Sequence, residues 1–272
     1  MKLSFSTLGC PDWTFSEIFA VAADLRYNGI EIRGIADQIY APKIGVFSDD
    51  KIESTKAKLN EAGIEIPILT SGAYLIGNDN IEESIAETKD YILLAEKLDA
   101  PYVRMMGEKT PDPVIKDIDL DDVRKNYTAL ANFAADHGVR LLIETNACFA
   151  DTKLLSEFYT SVDSCGKGIL WDIHHPVRYF NETPAETAAN IGSHVRHVHV
   201  KDSVVGTNGK LTYMLTGYGS LPVEDCVKVL SLLGYDGYLS YEWVKRWSRD
   251  LADPGIAIYQ YIDYMRMIAP VE

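Results

Sequence analysis

Hydrophobic positions along the chain follow two rhythms that take turns. Short apolar or alternating runs give way to longer stretches in which apolar residues return every third or fourth position. The first rhythm is that of a β-strand and the second that of an amphipathic helix. The strand-like runs are KLSFST (2–7), GIEIRGI (29–35), IEIPIL (64–69), PYVRMM (101–106), VRLLIET (139–145), GILWDI (168–173), VRHVHVKD (195–202) and GYLSYEW (237–243). Helices are expected between them, over 15–27, 49–62, 81–98 and 121–137, beginning after Asp151, and over 256–268.

The punctuation agrees with this division. Thr183-Pro184-Ala185-Glu186 has the form of a capping box, with a hydroxyl at the N-cap, proline at the first helical position and glutamate at the third. Asp253-Pro254 repeats the start signal before the last helix. NGI (28–30), AGI (62–64), HGV (137–139) and LGY (233–235) each put a glycine between a helix and the next strand, where a C-cap favours positive φ. Strands alternating with helices imply parallel pairing. Eight such units in 272 residues point to a single-domain (β/α)8 TIM barrel spanning residues 1–272 rather than an open sheet. No GxGxxG follows the first strand, which argues against a dinucleotide-binding sheet.

Composition narrows the partners. The chain is 47% hydrophobic and 24% charged, an ordinary globular balance. Forty acidic against 26 basic side chains leave a net charge of −14. Such a surface repels nucleic-acid phosphates and anionic lipid, so the expected partner is a small molecule, with no nucleic acid and no membrane. No apolar run approaches the ~18 residues of a membrane span, and the N-terminus alternates like a strand rather than forming a signal peptide. Cys10, Cys148, Cys165 and Cys226 are scattered without a CxxC pair, which suits reduced thiols and a cytoplasmic location. Nothing in the composition opposes a homo-oligomer.

In a barrel of this kind, reactive groups sit where strands run out into the following loops. Four consecutive strand ends carry a metal-type ligand: Glu144, Asp172, His199 and Glu242. The two-residue period places Glu144 and Asn146 on one face, His197 and His199 on one face, and Ser240 and Glu242 on one face. If the aliphatic positions between them face the helices, the polar set points into the barrel mouth. Three carboxylates and an imidazole there suit one divalent metal ion, with Mn2+, Mg2+ or Co2+ favoured and Zn2+ acceptable. Buried carboxylates without a cation or a pairing partner would protonate or destabilise the fold. Arg33 and Glu31 share parity on the second strand, so Arg33 is either a substrate contact or half of an internal ion pair with Glu31. Arg104 on the fourth strand carries the same two readings. Asn146 and Lys201 are further substrate-binding candidates, and Asp202 is expected to anchor a loop. His197 is expected to be a satisfied interior histidine. Trp13, Phe15, Tyr74 and Trp243, in or near the βα loops, are candidates for stacking on a bound ligand, and the Asp117–Asp122 run is expected to be a solvated helix start.

The motifs LLIETN (141–146), DIHH (172–175), HVHVKD (197–202), GYGSLP (217–222) and YEW (241–243) resemble, in order and over essentially the whole chain, the xylose isomerase-like barrels. That family holds sugar isomerases and epimerases and also endonuclease IV. The resemblance implies one divalent metal on Glu144, Asp172, His199 and Glu242. It also implies that Glu144 and Glu242 act as the acid–base pair on opposite faces of a substrate carbon. The family pattern Asp-x-x-His falls on Asp172 and His175, which makes His175 a substrate contact and leaves His174 a loop neighbour. Tyr218 departs from the glutamate frequent in the family's Gly-x-Gly-x-Leu-Pro loop.

The implied activity is metal-dependent isomerisation or epimerisation of a small polyhydroxylated carbonyl compound, a sugar or cyclitol, through an enediolate. A dehydratase of the inosose or 3-dehydroshikimate type is the alternative on the same parts. An endonuclease IV-like role needs several more metal ligands and a basic rim, and the net charge of −14 stands against it.

Overall fold

The computed structural model describes residues 1–113 and 118–270. Eight parallel strands form the central sheet: β1 (Lys2–Ser6), β2 (Gly29–Glu31), β3 (Ile68–Tyr74), β4 (Tyr102–Met106), β5 (Arg140–Glu144), β6 (Lys167–Asp172), β7 (Val195–Val200) and, after two intervening strands, β10 (Tyr238–Tyr241). Their order is β2-β1-β10-β7-β6-β5-β4-β3. Parallel bridges from Gly29 to Glu65 and from Ile32 to Leu69 close the ring between β2 and β3. The fold is the expected TIM barrel.

Helices pack outside it: α1 (Phe15–Asp24), α2 (Ile52–Glu61), α3 (Ile81–Lys97), α4 (Leu120–Asp136), α5 (Thr152–Ser161), α6 (His174–Phe180), α7 (Pro184–Ile191), α8 (Val223–Leu232) and α9 (Pro254–Ile268). The expected capping box is formed at α7, where Thr183 Oγ1 accepts from Glu186 N and the Glu186 carboxylate accepts from Thr183 N. Asp253 accepts from Gly255 N at 2.8 Å at the start of α9. Asp119 caps α4 through Asp121 N at 2.9 Å, while Asp117 lies outside the described residues.

Alternation sorts the strand residues as anticipated. Phe5, Ile143, Trp171, Val198 and Tyr241 join the helices in one continuous core. On the opposite faces, Ile68, Leu142 and Leu170 form a small separate cluster inside the barrel.

Three local expectations need correction. The third strand begins at Ile68, not at residue 64, and runs on to Tyr74. Pro67 has no N–H to give a ladder, and the segment before it makes only the Glu65 bridge to Gly29. Regular pairing of the second strand stops at Glu31, so Arg33 lies past the strand end. Gly29 does not take positive φ; Arg26 does, at φ 57°. Glycine is required at 29 because a Cβ there would come within 2.8 Å of the Tyr238 ring.

A hairpin unforeseen in the strand count follows β7: β8 (Asp202–Val205) and β9 (Leu211–Met214) pair antiparallel over the barrel mouth. Its turn contains Asn208-Gly209, with Gly209 at φ 77°. That dipeptide between alternating residues is a hairpin signal.

Candidate active site

Glu144 ends β5, Asp172 ends β6, His199 is the fifth residue of β7, and Glu242 directly follows β10. These strands are neighbours in the ring, and the register pairs Asp172 with His199 and His199 with Ser240. One ligand atom from each of Glu144, Asp172, His199 and Glu242 lies within 4.8 Å of all the others, and all four residues are buried. The sequence pattern therefore gathers the four groups it selected.

The donor set fits a divalent cation. Glu31 accepts from His199 Nε2 at 3.0 Å, from His197 Nε2 at 3.1 Å and from Ser240 Oγ at 2.8 Å. Burial works against its charge, but the two histidines hold its carboxyl well below the ordinary range, so it is an acceptor. An acceptor at Nε2 puts the hydrogen there and leaves the Nδ1 lone pair of a neutral His199 pointing the other way. That Nδ1 is buried without a hydrogen-bond partner, 3.5 Å from Glu144 Oε1 and 3.4 Å from Glu242 Oε1. An unpartnered imidazole nitrogen between two carboxylate oxygens is what a coordinated cation would satisfy. Burial opposes protonation of His199, yet Glu31 and Glu242 raise its pKa well above the usual value.

Two basic side chains balance the remaining charge. Arg104 Nη1 donates to Glu144 Oε2 at 2.8 Å. Burial raises the Glu144 pKa, but Arg104 and then His199 outweigh it and hold the carboxyl low. Lys201 Nζ donates to Glu242 Oε2 at 2.5 Å and to Asp172 Oδ2. Burial disfavours its charge, and Asp172 and Glu242 overcome that and raise its pKa well above the ordinary lysine value. Each glutamate thus directs Oε1 at His199 and has Oε2 held by a cation.

The two histidines of the DIHH stretch are both buried on the first turn of α6, so His174 is a helical residue rather than a loop neighbour. Its Nε2 is 2.9 Å from Ser203 Oγ, and its N–H donates to Asp172 Oδ1 at 2.9 Å. His175 Nδ1–H donates to the Thr145 carbonyl at 2.9 Å, which turns Nε2 toward Asp172 Oδ2 at 3.6 Å. Burial lowers the His175 pKa against the pull of Asp172, keeping the ring neutral. His175 lines the central cavity, of about 500 Å³, together with Glu144, Glu242, Arg104, Arg33, Asn146 and Lys201. A groove of about 610 Å³ beside α6, α7 and α8 gathers none of these groups.

Two site expectations change in detail. Arg33 and Glu31 do not pair, because Glu31 turns inward to the β7 histidines. Asn146 reaches the cavity wall, but its Oδ1 accepts from Gly107 N at 2.9 Å and Glu108 N at 3.3 Å, and its Nδ2 donates to Glu108 O at 3.0 Å and Thr110 O at 3.2 Å. Those bonds use the amide's full capacity, so Asn146 positions the 107–110 loop.

The aromatic residues at the cavity are Tyr213 on β9 and Trp247, not Trp13, Phe15, Tyr74 or Trp243. Trp243 is buried, and its Nε1 donates to Ala252 O at 3.1 Å. Tyr213 follows from the hairpin turn, whereas Trp247 lies in an irregular segment with no periodic signal. Tyr218 is 69% exposed and away from the cavity wall. Asp202 anchors the loop as expected, accepting from Gly217 N and Gly219 N at 2.9 Å and from Leu221 N at 3.1 Å.

Fold and site together define a closed (β/α)8 barrel with three carboxylates and one imidazole converging in its mouth. Residues 19–265 match the family described as xylose isomerase-like TIM barrel, and the chain belongs to that family. Among curated relatives, fructoselysine 3-epimerase of Shigella flexneri is 23% identical over 99% of both chains. Among solved structures, the IOLI protein with a bound zinc atom superposes with a TM-score of 0.81 at 18% identity over 100% of both chains. The probable 3-DHS dehydratase AsbF of Bacillus anthracis superposes with a TM-score of 0.77 at 16% identity, covering 98% of this chain and 99% of that one.

Proposed function

We propose that the protein is a divalent-metal-dependent isomerase or epimerase of a small polyhydroxylated carbonyl compound. One observation carries the reading. In the ring order β10-β7-β6-β5, Glu242 and Glu144 stand at the two ends, with His199 and Asp172 between them. A substrate carbon seated over the middle pair has one glutamate on each side. Inversion at such a carbon needs this arrangement, because the proton leaves one face and returns on the other.

Glu144, Asp172, His199 and Glu242 would hold the ion. When bound, it supplies Lewis-acid polarisation of the carbonyl and adjacent hydroxyl oxygens, in the manner open to Mn2+, Mg2+, Co2+ or Zn2+. The chain's own residues do the proton work. One glutamate takes the proton from the carbon beside the carbonyl, and the electron pair moves into the carbonyl to give an enediolate. The other glutamate, in its acid form, returns a proton to the opposite face. Arg104 and Lys201 fix the Oε2 atoms of the two carboxylates, and Lys201 and His175 are placed to hydrogen-bond substrate oxygens. The similarity to a 3-epimerase over 99% of both chains supports this chemistry.

The Lys201 ammonium at the cavity wall also favours a second reading. If it gives a proton to a departing β-hydroxyl, the same enediolate loses water and the enzyme is a dehydratase. Free, buried Cys10, Cys148 and Cys226 suit a reducing, cytoplasmic setting.

The test is proton exchange. Incubated with Mn2+ and a panel of ketoses in D2O, the protein is expected to place deuterium on the carbon beside the carbonyl without forming a dehydrated product. Glu144→Gln and Glu242→Gln should each slow exchange by about 10²–10⁴-fold with an unchanged circular dichroism spectrum. Exchange at the native rate in both variants would remove the assignment, and release of water would move it to dehydration.

A further inference from the structure

The cavity is charged unevenly. Of its basic residues, Arg104 is paired with Glu144, and Lys201 with Asp172 and Glu242. Arg33 is different. Its part-buried guanidinium reaches the same cavity, yet among the described residues no carboxylate lies within 4.0 Å of it, and its side chain donates no hydrogen bond. The nearby Glu87 carboxylate instead accepts from Gly72 N at 2.6 Å. Burial first, and Arg104 second, lower the Arg33 pKa to about 10 against the weaker pull of Tyr91 and Glu87, so it stays a cation at neutral pH, with Glu87 near but outside ion-pair distance. Exposed Lys109 on the same wall also has no acidic partner within that distance among the described residues.

Position makes this specific. In the ring order, β2 is diametrically opposite β6, so Arg33 faces Asp172 across the barrel mouth. Trp247 covers it, with Cζ 5.8 Å from the indole centroid, which steadies the guanidinium plane. A planar donor fork without an acceptor, held at the far end of the cavity from the ligand cluster, matches a bidentate oxyanion.

We propose that the substrate is an acid: a polyhydroxylated carbonyl compound whose end remote from the reacting carbons is a carboxylate or phosphate seated on Arg33, with Lys109 nearby. The inference rests on the enolisation reading for the orientation of the substrate, but the anion seat itself does not depend on that chemistry.

The test uses D-fructose, D-fructuronate and D-fructose 6-phosphate, which share a carbon skeleton and differ at carbon 6. Binding of each to the Mn2+-loaded protein is measured by calorimetry. At least one acid should bind roughly tenfold or more tighter than fructose. A preference for the fructuronate identifies a carboxylate substrate, and a preference for the 6-phosphate a phosphorylated one. In Arg33→Met the acid-to-neutral affinity ratio should fall to near one. Arg33→Lys, which keeps the charge without the fork, should retain part of the ratio and guards against misfolding of the Met variant. Equal affinities for the three compounds, binding of none, or a ratio that survives in Arg33→Met would overturn the seat. Proton exchange in D2O, followed on the same samples, separates the two ideas. A charge ratio lost in Arg33→Met without any exchange keeps the seat and removes the enolisation reading.

Discussion

Glu31 Oε2 accepts from three side chains at once, His197, His199 and Ser240, in a fully buried position. Its effect on the site passes through one atom, since the bond to His199 Nε2 decides where the Nδ1 lone pair points. A neutral amide in its place can donate as readily as it accepts, and it no longer favours the required tautomer. Glu31→Gln is therefore expected to weaken Mn2+ binding about 10–100-fold, the usual cost of losing such a support, as read by calorimetry. An affinity within about twofold of the native protein would mean that packing alone orients the imidazole. Parity in the sequence put Glu31 on the inward face beside Arg33, and both do point inward. What parity cannot give is the partner across the barrel. Residues on β7, 166 and 168 positions away along the chain, take the carboxylate instead. For the four converging groups the same limit did no harm, because Glu144, Asp172, His199 and Glu242 lie on adjacent strands. The split between His174 and His175 is a third case. Both are buried on one helical turn, and only the direction of that turn sends His175 to the cavity.

The loop after β9 hangs on one side chain. Asp202 collects the N–H groups of Ser203, Gly217, Gly219 and Leu221, and this ties the GYGSLP stretch to the base of the β8–β9 hairpin. The approach is so close that a Cβ on Gly219 would lie 2.0 Å from Asp202 Oδ1. Asp202→Ala leaves those donors without their acceptor and should cost about 2–4 kcal/mol, judged from charged hydrogen bonds and the penalty for unpaired buried groups. Urea denaturation measures it, and a loss below about 1 kcal/mol would show that water replaces the carboxylate. Since Tyr213 sits on the same hairpin and lines the cavity, the variant should also bind substrate more weakly. At this scale the barrel was readable because each strand and helix has its own period. The β8–β9 hairpin was missed because HVHVKD reads as one strand, although pairing breaks at Lys201 and Asp202 begins a new ladder. The third strand was displaced because its apolar run continues through Pro67 where the ladder cannot. Trp247 had no period to betray it, lying between β10 and α9 in a segment fixed by turns.

Across the whole molecule, the cluster joins four of the eight barrel strands, β5, β6, β7 and β10. Without an ion, Arg104 and Lys201 pair with its carboxylates, and Glu31 and Glu242 raise the His199 pKa. A divalent ion that binds only the folded chain adds RT ln(1 + [ion]/Kd), or about 2.7 kcal/mol at a hundredfold excess over Kd. For a chain of this size that corresponds to a rise in Tm of about 5 °C. Scanning calorimetry after exhaustive EDTA dialysis, with Mn2+, Mg2+, Co2+ and Zn2+ returned one at a time, should show the rise for at least one ion and rank them by affinity. A chain of net charge −14 is also stabilised by ordinary screening, which needs no site. The two effects separate in Asp172→Asn, whose lost carboxylate should abolish most of the ion-specific rise while leaving the response to sodium chloride intact. An equal rise in the native protein and in the variant would assign the stabilisation to the acidic surface and leave the four converging groups without a metal to hold.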